Sequence, residues 1–421
     1  MLMDCCKRKK FFAPVVTHVA VTSSARKSIN QNKRPITFDQ ALTTIAHMDQ
    51  AMTAFGSSEG TFYTFNWASC RITEVAKLES AIRSIFCFNR EAFVGLSNGE
   101  IHLIPSLASM EKVTPICVAS LGSAVVAIGM AGTPGNAFLC AATKDCHLYV
   151  YRMSSARLSY SVGRGRVFSS LPRFSSVSKP NPDAAQIPSA KDTVDNMENS
   201  VTEEESSEYI DTDPSHVKPE WKLYKEYATP SCIANTTDHF FGYCTEDLSF
   251  YYFNALTQKQ VYKIDDESHF VKVAHIYERT SKYNMAGIRS ALLGYNGTAS
   301  DGGHVRLVNL TTGESRIVYT SCYNGCKGVF GVLRYMIIVD SNSLVVCKIG
   351  VADATELYKE PFAGGFIVLK SDFCINQLTE TSASICATLL FNGGDYCRVT
   401  IEIDCEADTV STEIFGSTLF V

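Results

Sequence analysis

The chain has 421 residues, 38 basic against 43 acidic side chains (a formal net charge of −5), and 46% hydrophobic residues. This balance argues against a general nucleic-acid binder, which needs a basic surface to displace counterions. There is no run of about 18 apolar residues, so no membrane-spanning helix is expected.

The N-terminus, Met1–Lys10, lacks the apolar core of a signal peptide. Cys5 and Cys6 adjoin Lys7-Arg8-Lys9-Lys10. An acylated cysteine beside a polybasic patch is the two-signal arrangement for stable membrane anchoring, so lipidation at Cys5 and Cys6 is a candidate. An unstructured basic tail is the plainer expectation for 1–35. Around Val15–Val21 the chain reads as a strand that could pair with the last repeat and close a ring. Thr37–Met48 is the best short helix, or else an outer strand.

From there the chain repeats one unit, an apolar strand, a polar turn and a second strand. Gly56–Trp67 is the first copy, with Gly60 in its turn. Phe93–Ile104 is the second, with the Asn98-Gly99 pair favoured in tight hairpins. Ala142–Tyr151, Cys244–Phe253 and Val339–Cys347, which contains Asn342, keep the strands but have lost the glycine. The clearest copy is Ser300–Glu314, where Asp301-Gly302-Gly303 gives the backbone freedom a hairpin needs. Phe391–Ile401, with Gly394, is the last. Gly60 and Gly99 are 39 residues apart, as are Gly303 and Asn342. About 40–45 residues is the length of one propeller blade. The hairpins are expected to be the inner two strands of their blades.

Residues 153–217 break this rhythm. They are rich in Ser, Pro, Asn, Asp and Glu and bury too little to offset ordering entropy, so 154–217 is expected to be disordered. Their six basic and ten acidic side chains give a net −4, which leaves the rest of the chain near neutral. The bases come first and the acids follow. Ser169 and Ser176 follow arginines in patterns suited to basophilic kinases, and Ser200 and Thr202 precede acids, so all four are candidate phosphorylation sites. A solvated linker is the simpler expectation.

No catalytic signature appears. The chain has no Gly-x-Ser-x-Gly elbow, no Walker loop and no Cys-x-x-Cys pair. Cys322 and Cys326 lack a second ligand pair, and a turn with Asn324-Gly325 at its tip is the expected role. His102, His147 and His304 hold similar hairpin positions and read as structural. The sixteen cysteines, mostly at strand positions, read as reduced, buried small hydrophobes. No catalytic residue, metal or cofactor is expected.

Over about 36–152 and 219–421, and most closely at Ser300–Glu314, the chain resembles the WD40-repeat family of β-propellers. It departs from that family in having no Trp-Asp pair and no Gly-His opening, so the family's hydrogen-bond tetrad cannot be assigned. The resemblance implies an all-β, single seven-bladed propeller, with blades 1–3 in 36–153, blades 4–7 in 218–421 and the insertion between blades 3 and 4. The blades would span about 36–78, 80–113, 114–153, 218–265, 268–320, 325–360 and 364–421. It also implies a non-catalytic scaffold that binds other proteins, several at once, as a subunit of a complex in the cytoplasm or nucleus. Two alternatives are a membrane-recruited adaptor acting through Cys5 and Cys6, and a propeller enzyme with a site at the channel mouth.

Overall fold

Alternating apolar and polar residues between tight turns favour strands, and every regular element among the described residues is one. The computed structural model describes residues 38–152, 222–296 and 302–415, except 89, 106, 108–111, 134–135, 146, 227–229, 235–239, 246–248, 255–258, 266–270, 282–283 and 323–324. Cys5, Cys6, the Val15–Val21 segment, Ser169, Ser176, Ser200, Thr202 and Asp301 lie outside them.

The strands form seven antiparallel four-stranded sheets. The first contains β1 (Leu42–His47), β2 (Met52–Ser57), β3 (Thr61–Asn66) and β4 (Arg71–Lys77). The second contains β5 (Ile82–Phe88), β6 (Glu91–Leu96), β7 (Glu100–Ile104) and β8 (Ile116–Ser120). The third is β9 (Val125–Thr133), β10 (Asn136–Thr143), β11 (His147–Arg152) and β12 (Lys222–Glu226). The fourth is β13 (Pro230–Ala234), β14 (Phe240–Thr245), β15 (Ser249–Asn254) and β16 (Lys259–Asp265). The fifth has β17 (Val271–Ser281), β18 (Asn284–Tyr295), β19 (Gly303–Asn309) and β20 (Ser315–Cys322). The sixth has β21 (Gly328–Val332), β22 (Tyr335–Val339), β23 (Ser343–Ile349) and β24 (Ala354–Pro361). The seventh has β25 (Val368–Leu378), β26 (Ser382–Phe391), β27 (Tyr396–Asp404) and β28 (Thr409–Phe415). Each sheet's first strand packs against the first strand of the next, and β25 returns to β1. The arrangement is a β-propeller.

The expected architecture, a single seven-bladed propeller with a disordered insertion between blades 3 and 4, needs correction. Only six sheets come from uninterrupted runs; the third is split. Its fourth strand, β12, lies beyond 153–217 and pairs with β11, His147 opposite Glu226 and Val150 opposite Lys222. The insertion therefore falls inside the third blade. Composition places a boundary where polarity changes, but the open edge of β11 still needs partners for its backbone groups, and Lys222–Glu226 supplies them. Similarly, the second sheet does not end at 113, because β8 extends it to Ser120.

The turn-bearing hairpins are the second and third of each sheet's four strands, its inner two. One further expectation changes. Thr37–Met48 supplies no helix; Leu42–His47 is the first strand of sheet one, packed on β5 and β25.

The core lies between sheets. In β22 all five residues are buried. Tyr335, Ile337 and Val339 join a cluster with Ile385, Ala387 and Leu389 of sheet seven. Met336 and Ile338 point the other way, to Leu292 and Leu307 of sheet five. Strand side chains alternate between faces, so a strand covered on both sides must read as one apolar run. Sheet one meets sheet two through glycine: a Cβ at Gly56 would stand 2.5 Å from Cγ2 of Ile82. Gly95 repeats this against Val125 of sheet three, at 2.6 Å. These two glycines each lie four residues before a turn glycine, a spacing that marks them in the sequence.

Candidate functional site

In an up-and-down sheet, the turn from second to third strand and the link to the next sheet emerge on the same side. The sequence markers therefore gather on one face of the ring. Gly60, Gly99 and Gly394 have φ of 83°, 90° and 89°, the left-handed region that favours glycine. Gly60 O accepts a hydrogen bond from Leu78 N, and Gly99 O from Leu121 N, so these turns brace the links between sheets. Asn342 O does the same for Phe362 N at 2.7 Å. Gly302 is exposed just before β19, and Gly303 is that strand's first, buried residue. On this face the side chain of Asn392 accepts from Ile367 N at 2.7 Å. Ile367 and Leu369 are 43% and 51% exposed there, side by side at the entry to the seventh sheet.

The densest polar cluster is at the seam between the last sheet and the first. No single stretch of sequence signals it, because His47 lies more than 300 residues from its partners on the last sheet. His47 ends β1, and its backbone N–H donates to Oδ2 of Asp372 on β25 at 2.6 Å. Its Nε2 lies 3.2 Å from the main-chain carbonyl of Asp372. A carbonyl only accepts, so this geometry assigns the ring proton to Nε2 and leaves Nδ1 facing Sγ of Cys374 at 3.5 Å. Thr388 on β26 adds a contact to Nε2 at 3.1 Å. Burial, with Arg398 nearby, pushes the imidazole down to about 3 and keeps it neutral. Burial raises Asp372 to about 6 against the two backbone N–H groups that hold its charged form.

Cys374 pairs across the sheet with Cys386 on β26. A hydrogen bond from Cys374 lowers Cys386 well below an ordinary thiol, with Arg398 adding to this and burial opposing it. Arg398 on β27 donates to Sγ from Nε at 3.2 Å and from a terminal nitrogen at 2.7 Å, and Asn376 Nδ2 donates at 2.8 Å. Of the two cysteines, Cys386 is thus the one drawn toward its thiolate form, facing Arg398. Cys386 has no exposed surface, so the pair serves to hold the seam. Arg398 also lies over the ring of Trp67, 5.5 Å from its centroid. Tyr396 packs edge-on against Phe55, Phe65 and Trp67 of sheet one. Closure of the ring thus combines an aromatic contact with a buried polar clasp. The expected closing strand at Val15–Val21 lies outside the described residues, and β25–β28 supply a complete sheet of their own.

No protein-family model and no curated protein matches the chain. Solved structures do. A chain in the crystal structure of the mitotic checkpoint complex aligns with a TM-score of 0.56 at 11% identity, covering 86% of this chain and 92% of that one. The computationally designed protein Ika8 aligns with a TM-score of 0.49 at 10% identity, over 89% of this chain and 83% of its own. At such identities the first likeness concerns the fold.

Proposed function

We propose that this chain is a divergent WD40-like propeller acting as a non-catalytic scaffold that binds other proteins within a multiprotein complex, in the cytoplasm or nucleus. The observation that carries this reading is a ring fixed through its seam that presents adjacent exposed apolar side chains, Ile367 and Leu369, on the face where its turns gather. A rigid frame costs little ordering entropy when it binds, and exposed apolar groups gain from being covered. The solved neighbour belongs to a multiprotein complex, which accords with protein partners. The full burial of Cys386, a thiol of low pKa, favours a structural over a catalytic use of the seam.

The test is affinity purification with mass spectrometry of the intact chain beside an Ile367→Asp/Leu369→Asp double variant. Stable partners are expected with the parent and fewer with the variant. Recovery of no stable partner by the parent would count against the scaffold.

A further inference from the structure

We propose that Glu100, His102 and Cys117 form a binding site for a zinc-like divalent transition metal on the second blade. Glu100 and His102 are two residues apart on β7 and so share a face of the strand. Cys117, on β8, is the direct cross-strand partner of His102. That pairing depends on a bulge. Ile101 pairs with Ala119, and without the shift that follows, Val118 would stand opposite His102.

The three donor atoms all lie within 4.8 Å of one another, and Nε2 of His102 is 3.1 Å from Oε2 of Glu100. Oxygen, nitrogen and sulfur ligands on a tetrahedral zinc ion are roughly 3.3–3.6 Å apart, given bond lengths of about 2.0–2.3 Å. Small side-chain rotations therefore bring the trio to that geometry. The donor set suits an ion of intermediate softness better than calcium or magnesium, which prefer oxygen. Oε2 of Glu100 accepts hydrogen bonds from Nε2 of His102 at 3.1 Å and from Nδ2 of Asn98 at 3.0 Å. On binding, the metal takes the place of the Cys117 thiol proton, which leaves to solvent, and the His102 ring proton moves from Nε2 to Nδ1 so that the neutral ring ligates through Nε2.

Three protein ligands leave a fourth position. Glu100 and His102 also line a pocket of about 240 Å³ with Lys77, Leu78, Glu79 and Pro115. The pocket gives room for a water molecule or a side chain from a bound protein as the fourth ligand.

Cobalt(II) is the probe, because a cobalt–thiolate bond gives a near-ultraviolet charge-transfer band. The chelator-treated full chain is titrated with cobalt(II), then with zinc(II). One equivalent is expected whose band zinc removes and which is missing in Cys117→Ser. In His102→Asn the visible bands of that equivalent should shift or vanish. Other cysteines contribute equally to parent and variants, so the difference is the readout. The proposal is overturned if the parent shows no such band or if Cys117→Ser leaves the spectrum unchanged. Circular dichroism checks each variant's fold, and should Cys117→Ser not fold, an unchanged spectrum in His102→Asn overturns the proposal alone.

Discussion

The phenol of Tyr335 donates a 2.7 Å hydrogen bond to Oδ1 of Asp408, joining sheet six to the last turn of sheet seven. Lys348 reaches the other carboxylate oxygen at 2.6 Å, and Arg334 lies 3.0 Å from Oδ1. Arg334 also donates to the main-chain carbonyl of Cys405. Asp408 holds this position with φ at +54°, which is uncommon for a residue with a side chain.

Tyr335→Phe removes the bond to Asp408, the 3.2 Å bond its hydroxyl accepts from Nε of Arg334 and a 3.5 Å contact to the carbonyl of Cys405, and leaves the ion pairs. Tyr335 is fully buried, and the expected loss of stability is about 1–2 kcal/mol. Comparison of urea denaturation midpoints with the parent checks it.

Acid should release the same contact. Burial alone would raise Asp408, but hydrogen bonds from Lys348, Tyr335 and Arg334 outweigh it and bring the group down to about 2 from 3.8. A carboxylate lowered in the folded state stabilises fully above its unfolded value, and the stabilisation fades as pH falls from about 4 through about 2. In Asp408→Asn the melting temperature should depend less on pH across that window.

The seam gives the opposite sign at Asp372. Its folded value of about 6 lies above its ordinary 3.8, so its contribution is fully present below about pH 4 and is lost as pH rises through 6. Asp372→Asn keeps an oxygen for the His47 N–H and removes a buried charge. It should stabilise the protein at pH 7.5, by up to about 3 kcal/mol, and gain nothing at pH 3.5. His47 opposes this in the parent: its folded value of about 3 lies below 6.5, so its contribution is lost as pH falls. The variant-minus-parent difference in melting temperature at the two pH values isolates Asp372.

Gly95→Ala tests the close approach of blades two and three. The added Cβ would stand 2.5 Å from Oγ of Ser84 and 2.6 Å from Cγ1 of Val125, so both side chains must move. A loss of about 1–3 kcal/mol is expected, measured by chemical denaturation. Gly364→Ala, at a position with open space around it, is the control.

Much of the repeat was readable because hairpin signals are local. Asn98-Gly99 and Gly302-Gly303 carry their turn preferences wherever the rest of the chain lies. Tyr335–Val339 could be recognised as a strand buried on both faces by its unbroken apolar run. Strand position within a blade was harder to read. Leu42–His47 became an innermost strand because β5 and β25 cover it, and Lys222–Glu226 joined the third blade because β11 offered an open edge. Neither neighbour is near in sequence.

The sequence by itself determined a β-rich repeat, its turns and the polar stretch that interrupts it, since turn preference and alternation act over a few residues. Only the tertiary structure decided which blade is split and how the ring closes. It also decided which cysteine is drawn toward the thiolate form. Cys386 takes its thiolate character from Cys374 and Arg398, on neighbouring strands, and His47 meets Asp372 across 325 positions of sequence. Electrostatics and hydrogen bonding depend on distance in space, which sequence spacing does not supply.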